Sequence, residues 1–205
     1  AEAGQSGQDA GTMLAVIAPS AQVEKILADH NLQLVIANQN APTQVVLSGA
    51  TPEIIRAAEI LDQLKIRNKR LAVSAAFHSP LVAEAQKPFA QALQTVTWTK
   101  PVMPVYSNST AQIYPTDPSA AAQLLAGQLA QPVEFVRQIE NMYAAGIRTF
   151  VEVGPGAKIT GLVQAILQDR PHVTLALDAS SGKRGDNGGI FDLACTLAQL
   201  AVLGY

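Results

Sequence analysis

The sequence predicts an α/β protein built from two successive patterns, and three observations carry that prediction. Short apolar runs and amphipathic stretches follow one another in the order βαββαβ over residues 12–76, with the apolar period switching between 2 and 3.6. From residue 77 to 178 the predicted helices lengthen while the strands between them stay short. The 205 residues, 48% hydrophobic and 15% charged, can bury a substantial core as one large domain or two small ones.

Residues 1–11 are a Gly/Gln/Ser/Asp stretch without periodicity and read as a frayed or cut end. Residues 13–18 form an apolar run expected as a strand, after which Ser20 is expected to cap a helix carrying Val23, Ile26, Leu27 and His30 at helical spacing. Residues 32–37 give a second strand. Asn38-Gln39-Asn40-Ala41-Pro42 is expected to turn the chain into a third strand at 44–48, and Thr51-Pro52 to open a helix with Ile54, Ala58, Leu61 and Leu64 along one face. A fourth strand at 69–74 completes the βαββαβ order, the ferredoxin-like arrangement of two helices over one face of a four-stranded antiparallel sheet.

Ser79-Pro80 then reads as an N-cap and first helical residue of a helix over 80–95. A strand is expected at 102–106, a helix ending near 130, and another restarting at Pro132 with Phe135, Ile139 and Met142 on one side and Gly146 beyond its C-terminus. Strands at 148–153 and 173–177 flank a helix over 158–168. Helical connections of this length would pair the strands at 102, 148 and 173 in parallel. Residues 180–189 read as a linker, and residues 190–203 as a helix apolar almost all round.

Charge and cysteine content narrow the function classes. A net charge of −2 without a Lys/Arg block argues against nucleic acid and anionic membranes as partners, and no apolar run is long enough to span a bilayer. A single cysteine allows no intrachain disulfide, which fits a cytoplasmic location.

Among single residues, His78 is the most suggestive, because it falls where a strand hands over to a helix. Ligands collect at such places in α/β sheets, and an imidazole titrates near neutral pH. A lone histidine at an element boundary is more often a satisfied core or capping residue. His30, His78 and His172 stand in different elements with no ligand spacing, so no metal site is expected. Cys195 on the apolar terminal helix reads as packing. Gly4-Gln5-Ser6-Gly7-Gln8 echoes a nucleophile elbow but lacks the preceding strand that motif needs. Gly154-Pro155-Gly156 reads as a tight turn more than an anion cradle, and Gly182-Lys183-Arg184 lacks the hydroxyl residue of a phosphate loop.

Several stretches, taken in order, resemble one family. They are Gly11-Thr12-Met13-Leu14-Ala15-Val16, Ala37-Asn38-Gln39-Asn40-Ala41-Pro42, Val45-Val46-Leu47-Ser48-Gly49, Ala76-Phe77-His78-Ser79-Pro80, Ser107-Asn108, Gln128-Leu129-Ala130-Gln131-Pro132-Val133 and Glu152-Val153-Gly154-Pro155-Gly156 through Thr160-Gly161-Leu162. The family is that of the malonyl-CoA:acyl-carrier-protein acyltransferases, in particular the acyltransferase domains of polyketide and polyunsaturated-fatty-acid synthases. The resemblance implies a ferredoxin-like subdomain at 12–76 inserted in an α/β-hydrolase-like acyltransferase subdomain, whose C-terminal part is 77–178, with 179–205 a linker and helix leading onward.

It also implies an activity, in which a serine takes a malonyl group from coenzyme A and passes it to the phosphopantetheine thiol of an acyl carrier protein. No bound cofactor is implied; malonyl-CoA is a substrate, and the partners are the carrier protein and neighbouring synthase domains. His78 is then the base that activates the serine, and Gln128 orients its ring, through its backbone carbonyl on a ring N–H. Phe77 stands where malonyl-selective members carry Phe and methylmalonyl-selective ones Ser, and Ala75 departs from the His that many members have there. Asn38 and Asn40 fall near the substrate cleft. The family's Gly-His-Ser-x-Gly elbow, its oxyanion-hole glutamine and its carboxylate-binding arginine precede the ferredoxin-like insertion, so the resemblance implies that these 205 residues supply the histidine and lack the serine. A non-catalytic remnant or docking module is the alternative.

Overall fold

The computed structural model of the chain describes residues 9–181 and 188–205. The chain divides into two compact units, residues 1–138 and 139–205.

The first unit opens with strand β1 (Thr12–Val16), helix α1 (Ser20–Asp29), strands β2 (Val35–Ala41) and β3 (Gln44–Gly49), helix α2 (Thr51–Gln63) and strand β4 (Asn68–Arg70). The sheet order is β2-β3-β1-β4, every pair antiparallel. Strand periodicity sends Leu14, Val16, Val45 and Leu47 to the face that meets Val23 and Ile26 of α1 and Ile54 and Leu61 of α2, and these side chains form the main core. Met13 and Val46 point the other way and pack with Ala37 in a smaller cluster.

Local signals misplace some boundaries here. Asn38 to Ala41 belong to β2, and the hairpin turn is only Pro42-Thr43. An asparagine-rich run reads as a turn, but these residues have a second partner: Val133 N donates to Ala37 O at 2.7 Å and Gln39 N to Val133 O at 3.0 Å. The strand bends through two register shifts, between Ile36 and Asn38 and between Gln39 and Ala41. At α1 the N-cap is Pro19, not Ser20, and makes no side-chain cap bond. At α2 the N-cap is Ala50, which has no side chain to cap with. Asp9 substitutes for it: its carboxylate accepts from Thr51 N and from Thr51 Oγ1, each at 2.7 Å, and from Gly11 N at 3.0 Å.

Residues 9–11, expected within a frayed end, are therefore tied down, while 1–8 lie outside the described residues. Ala76 N also donates to Ala10 O at 2.9 Å. Gly11 has φ +72, and a Cβ there would stand 2.5 Å from Gly49 O and 2.6 Å from the Ala76 Cβ, so only glycine fits.

The bonds from the Thr51 hydroxyl and amide and from Gly11 hold the Asp9 carboxyl below its ordinary range. A carboxyl that titrates lower in the folded than in the unfolded chain adds stability in full above its unfolded pKa, about 3.9, and loses it as pH falls through the folded value. Asp9→Ala is thus expected to lower the thermal midpoint at pH 7, with the gap to the unsubstituted chain narrowing below about pH 4. Thermal melts of both chains across pH check this; a gap independent of pH would remove the ionised cap.

Beyond β4 the helix expected over 80–95 is two pieces, a 3₁₀ turn at Pro80–Ala85 and helix α3 at Gln86–Gln94. Pro88 explains the break. Lacking an N–H it fits only the first turn of a helix, so α3 starts just before it. No strand forms at 102–106: Pro101 and Pro104 remove two donors, Val102 and Met103 are exposed, and only Tyr106 makes an isolated bridge, to Ile113. Helix α4 (Pro118–Gly127) is capped by Asp117, which accepts from Ala120 N at 2.8 Å, and ends before Gln128. Helix α5 (Phe135–Ala144) ends at Gly146, φ +95, where Gly146 N donates to Tyr143 O and Ile147 N to Met142 O, a Schellman closure.

In the second unit, strand β5 (Thr149–Pro155), helix α6 (Lys158–Leu167) and strand β6 (Val173–Asp178) form a parallel pair with a helical crossover. The expected three-strand parallel set is reduced to this pair, since its strand at 102 does not form. Gly154 and Pro155, expected in a tight turn, lie in β5, and only Gly156 beyond them turns, at φ +92. Helix α6 begins at Ala157 without a side-chain cap, and Glu152 of β5 again stands in, accepting from Thr160 N at 2.8 Å and Thr160 Oγ1 at 2.6 Å. Burial acts to raise the Glu152 carboxyl, and the bonds from Thr160 and the first α6 amides outweigh it, leaving it below the usual range. Helix α7 (Gly188–Val202) packs on β6, with Thr196 Oγ1 donating to Ala176 O at 3.0 Å. Gly188 and Gly189, expected in the linker, are its first turn; 182–187, with Gly182-Lys183-Arg184, lie outside the described residues. Cys195 is half-buried on α7.

Candidate functional site

The turn into the 3₁₀ helix carries His78 in the left-handed region, φ +58. A residue other than glycine costs about 1–2 kcal/mol there, so its neighbours must hold it. Its N–H donates to Leu129 O at 2.9 Å, and its ring Nδ1 lies 3.0 Å from Gln128 O and 3.1 Å from Gln131 O. Bonds of this kind contribute about 0.5–1.5 kcal/mol each, enough together to offset the backbone cost. Next in the chain, Ser79 is 1% exposed; its Oγ donates to Ala76 O at 2.6 Å and accepts from Leu81 N at 3.3 Å as the N-cap of the 3₁₀ helix.

Two carbonyls facing Nδ1 assign the ring proton, because a carbonyl can only accept. Nδ1 is the donor, and in the neutral imidazole Nε2 keeps its lone pair. The carbonyls converge because α4 ends at Gly127 and the chain from 128 to 131 turns in short, non-helical steps; Gln86 Nε2 of α3 holds Gly127 O at 3.2 Å.

His78 opens on a cleft of about 200 Å³. Phe89 of α3 and Leu125 of α4 are among its apolar lining residues, and Asn108, Ser109, Gln128 and Gln131 are its polar ones. Two of the polar residues are tied to their surroundings: Glu134 N donates to Asn108 O at 2.8 Å, and the buried Ser107 Oγ lies 3.2 Å from Ser109 Oγ. Among the described residues neither hydroxyl has a basic partner, and Ser107 Oγ also accepts from Ser109 N and Thr110 N.

The site residues expected from sequence fall into two groups. His78 and Gln128 meet at the cleft, with the Gln128 backbone carbonyl on Nδ1. Phe77, 37% exposed, and Ala75, buried, precede His78 and are joined by a bond from Phe77 N to Ala75 O, but neither lines this cleft. Asn38 and Asn40 are half-buried on β2, which the Val133 bridge fixes beside the cleft wall, and their side chains are not among those lining it. Gln131, Ser79, Phe89 and Asn108 enter the site without having been singled out for it. Gln131 and Asn108 were visible as parts of the family-like stretches, whereas nothing local marks Phe89.

Among the described residues no group of three or more His, Cys, Asp or Glu side chains is placed to hold a metal ion, and no helix is long and apolar enough to cross a membrane.

The chain is similar to known proteins along nearly all of its length. It is 32% identical over 197 residues to a polyunsaturated fatty acid synthase component of Thraustochytrium sp. (strain ATCC 26185 / S-3), covering 95% of this chain and 7% of that protein. It is 38% identical over 160 residues to the polyketide biosynthesis malonyl CoA-acyl carrier protein transacylase BaeC of Bacillus velezensis, covering 76% of this chain and 55% of that protein. Among solved structures, malonyl CoA-acyl carrier protein transacylase from Clostridium perfringens superimposes with a TM-score of 0.81 at 28% identity, over 94% of this chain and 58% of that one. The acyl transferase domain of SpnD does so with a TM-score of 0.82 at 25% identity, over 93% and 45%. The chain thus spans about half of the stand-alone transacylase and a small fraction of the synthase. Its residues 5–194 match the acyl transferase domain model, and by that match the chain belongs to the acyl transferase domain family.

Proposed function

We propose that this chain supplies the general base of an acyltransferase that moves a malonyl group from coenzyme A to the phosphopantetheine thiol of an acyl carrier protein. The observation that carries the reading is the Nδ1 contact of His78 with Gln128 O and Gln131 O, which leaves Nε2 as the proton acceptor beside an open cleft. Nε2 takes the proton of a serine hydroxyl as its oxygen attacks the malonyl thioester carbonyl; the C–S bond breaks and the proton passes to the departing coenzyme A sulfur. In the second half, Nε2 takes the proton of the carrier thiol, whose sulfur attacks the acyl-serine ester, and the serine oxygen regains the proton. A backbone carbonyl fills the orienting place that a carboxylate holds in Ser-His-Asp enzymes.

In this reading the acylated serine lies outside residues 1–205. Residues 12–76 are a ferredoxin-like subdomain, 77–178 part of an α/β-hydrolase-like acyltransferase subdomain, and 179–205 a connection onward. The location is cytoplasmic, and the neighbours are other synthase domains. Asn38 and Asn40 flank the substrate, and Phe77 with Ala75 sets its selectivity.

Incubation with labelled malonyl-CoA tests the proposal. The 205-residue chain alone is expected to take up no covalent label. Together with the remaining part of an acyltransferase domain, it is expected to support transfer to a carrier protein. Label that survives denaturation and maps to a serine within 1–205 would overturn the division of labour, and no transfer by the completed domain would favour a non-catalytic module.

A further inference from the structure

Resting on the reading of His78 as the base, we propose that Ser79 is a positioning residue whose buried hydroxyl clamps the turn at 76–79 and so holds His78 in its left-handed conformation. The Ser79 Oγ donates back to Ala76 O at 2.6 Å and accepts forward from Leu81 N at 3.3 Å, so one atom closes the chain on both sides of His78. Ala76 is anchored in turn, its N–H on Ala10 O. Ser79 itself is extended, φ −132 and ψ 165, a conformation free of strain. The strain of this turn therefore sits at His78, φ +58, and a φ of that sign persists in a β-carbon residue only where its surroundings dictate it.

Ser79 is 1% exposed, so bulk solvent has little access to its hydroxyl, and removing that hydroxyl strips a buried carbonyl and a helix amide of their partner at once. With the hydroxyl gone, the bond from His78 N to Leu129 O and the ring contacts with Gln128 O and Gln131 O are left to oppose relaxation toward negative φ, and the ring is expected to shift on the two carbonyls that fix its Nδ1 proton. Ser79 has no route to the reacting atoms of its own, since both of its bonds go to backbone groups inside the turn. Its effect on the reaction passes wholly through the placement of the imidazole.

The ring tautomer of His78 in the 205-residue chain, read by ¹H–¹⁵N correlation of the imidazole nitrogens, is the direct test. The unsubstituted chain is expected to show a neutral ring protonated at Nδ1, Ser79→Ala a shift toward the Nε2–H form, and Ser79→Thr, which keeps the hydroxyl, the original pattern. In the completed domain Ser79→Ala is expected to lower kcat about 10- to 100-fold with KM for malonyl-CoA nearly unchanged, and Ser79→Thr to restore most of it. An unaltered tautomer and kcat in Ser79→Ala would overturn the clamp while leaving the base assignment standing; that assignment fails separately if His78→Ala keeps full activity. Should Ser79→Ala not fold, the double variant His78→Gly/Ser79→Ala decides. Glycine adopts positive φ freely and is expected to recover the fold, and a chain that stays unfolded rejects the clamp.

Discussion

His78→Ala is expected to lower malonyl transfer to a carrier protein by about 10²- to 10⁴-fold in the completed domain, the contribution attributed to a positioned general base. On the proposed reading the substitution removes, among the described residues lining this cleft, the imidazole whose Nδ1 is committed to Gln128 O and Gln131 O, leaving Nε2 to accept a proton. Ser107 and Ser109 are engaged with each other and with backbone amides, and neither substitutes. Alanine also tolerates φ +58 poorly, so the comparison needs His78→Asn beside it, whose side chain accepts the left-handed region more readily. Equal losses in both variants assign the effect to the base, and retained activity in either removes His78 from the mechanism. Single-turnover acylation of the serine, followed by mass, is the measurement, because it isolates the first proton transfer.

A second large effect is expected on selectivity. On the proposed function, the completed domain should prefer malonyl-CoA over methylmalonyl-CoA, and Phe77→Ser should erode that preference. Rejecting one methyl group through an apolar surface is worth about 1–3 kcal/mol, which bounds the ratio of kcat/KM values at roughly 10- to 200-fold. Phe77 is 37% exposed and directly precedes His78, although it does not line the cleft that His78 opens on, so the selectivity measurement tests whether its ring reaches the acyl group. Ala75, which stands where the family resemblance implies a histidine in many members, is small and buried, and the reading of Phe77 as the selectivity residue expects it to give the ring slack. The expected preference therefore lies nearer 10-fold than 200-fold. Competition between the two substrates reads it directly, and equal use of both by the unsubstituted protein would mean that Phe77 does not face the acyl group.

The parts of this structure that were legible in the sequence are those written in a local code. Leu14 and Val16 alternate with Met13 and Ala15, Ile54 and Leu61 recur at helical spacing, and Ser79-Pro80 announces the cap that forms. Errors arise where a distant partner outvotes the local signal. Pairing with β3, with Val133 on the other side, draws Asn38 to Ala41 into a strand that their composition denies, and prolines 101 and 104 veto a strand that the apolar run between 102 and 106 invites. The candidate site divides along the same line. His78 was visible just ahead of the Ser79-Pro80 helix start, although the strand expected to lead into it ends at Arg70; the Gln128 carbonyl, 50 positions away, came only through family resemblance, and the Gln131 carbonyl, 53 away, not at all. Backbone carbonyls carry no residue identity, so no pattern of side chains could have marked them.

The carboxylate that Asp9 lends to α2 joins positions 42 apart, and this sets how the helix start responds to fluctuation. A cap within the helix sequence travels with the helix, but a borrowed one leaves whenever its own segment lifts away. The amide of Thr51 is then exposed to solvent without α2 or the sheet coming apart, and its hydrogen exchange reports the opening of residues 9–11 alone. Leu14 and Ile54, packed in the same core, exchange only through the larger unfolding event, so two clocks run within one small unit.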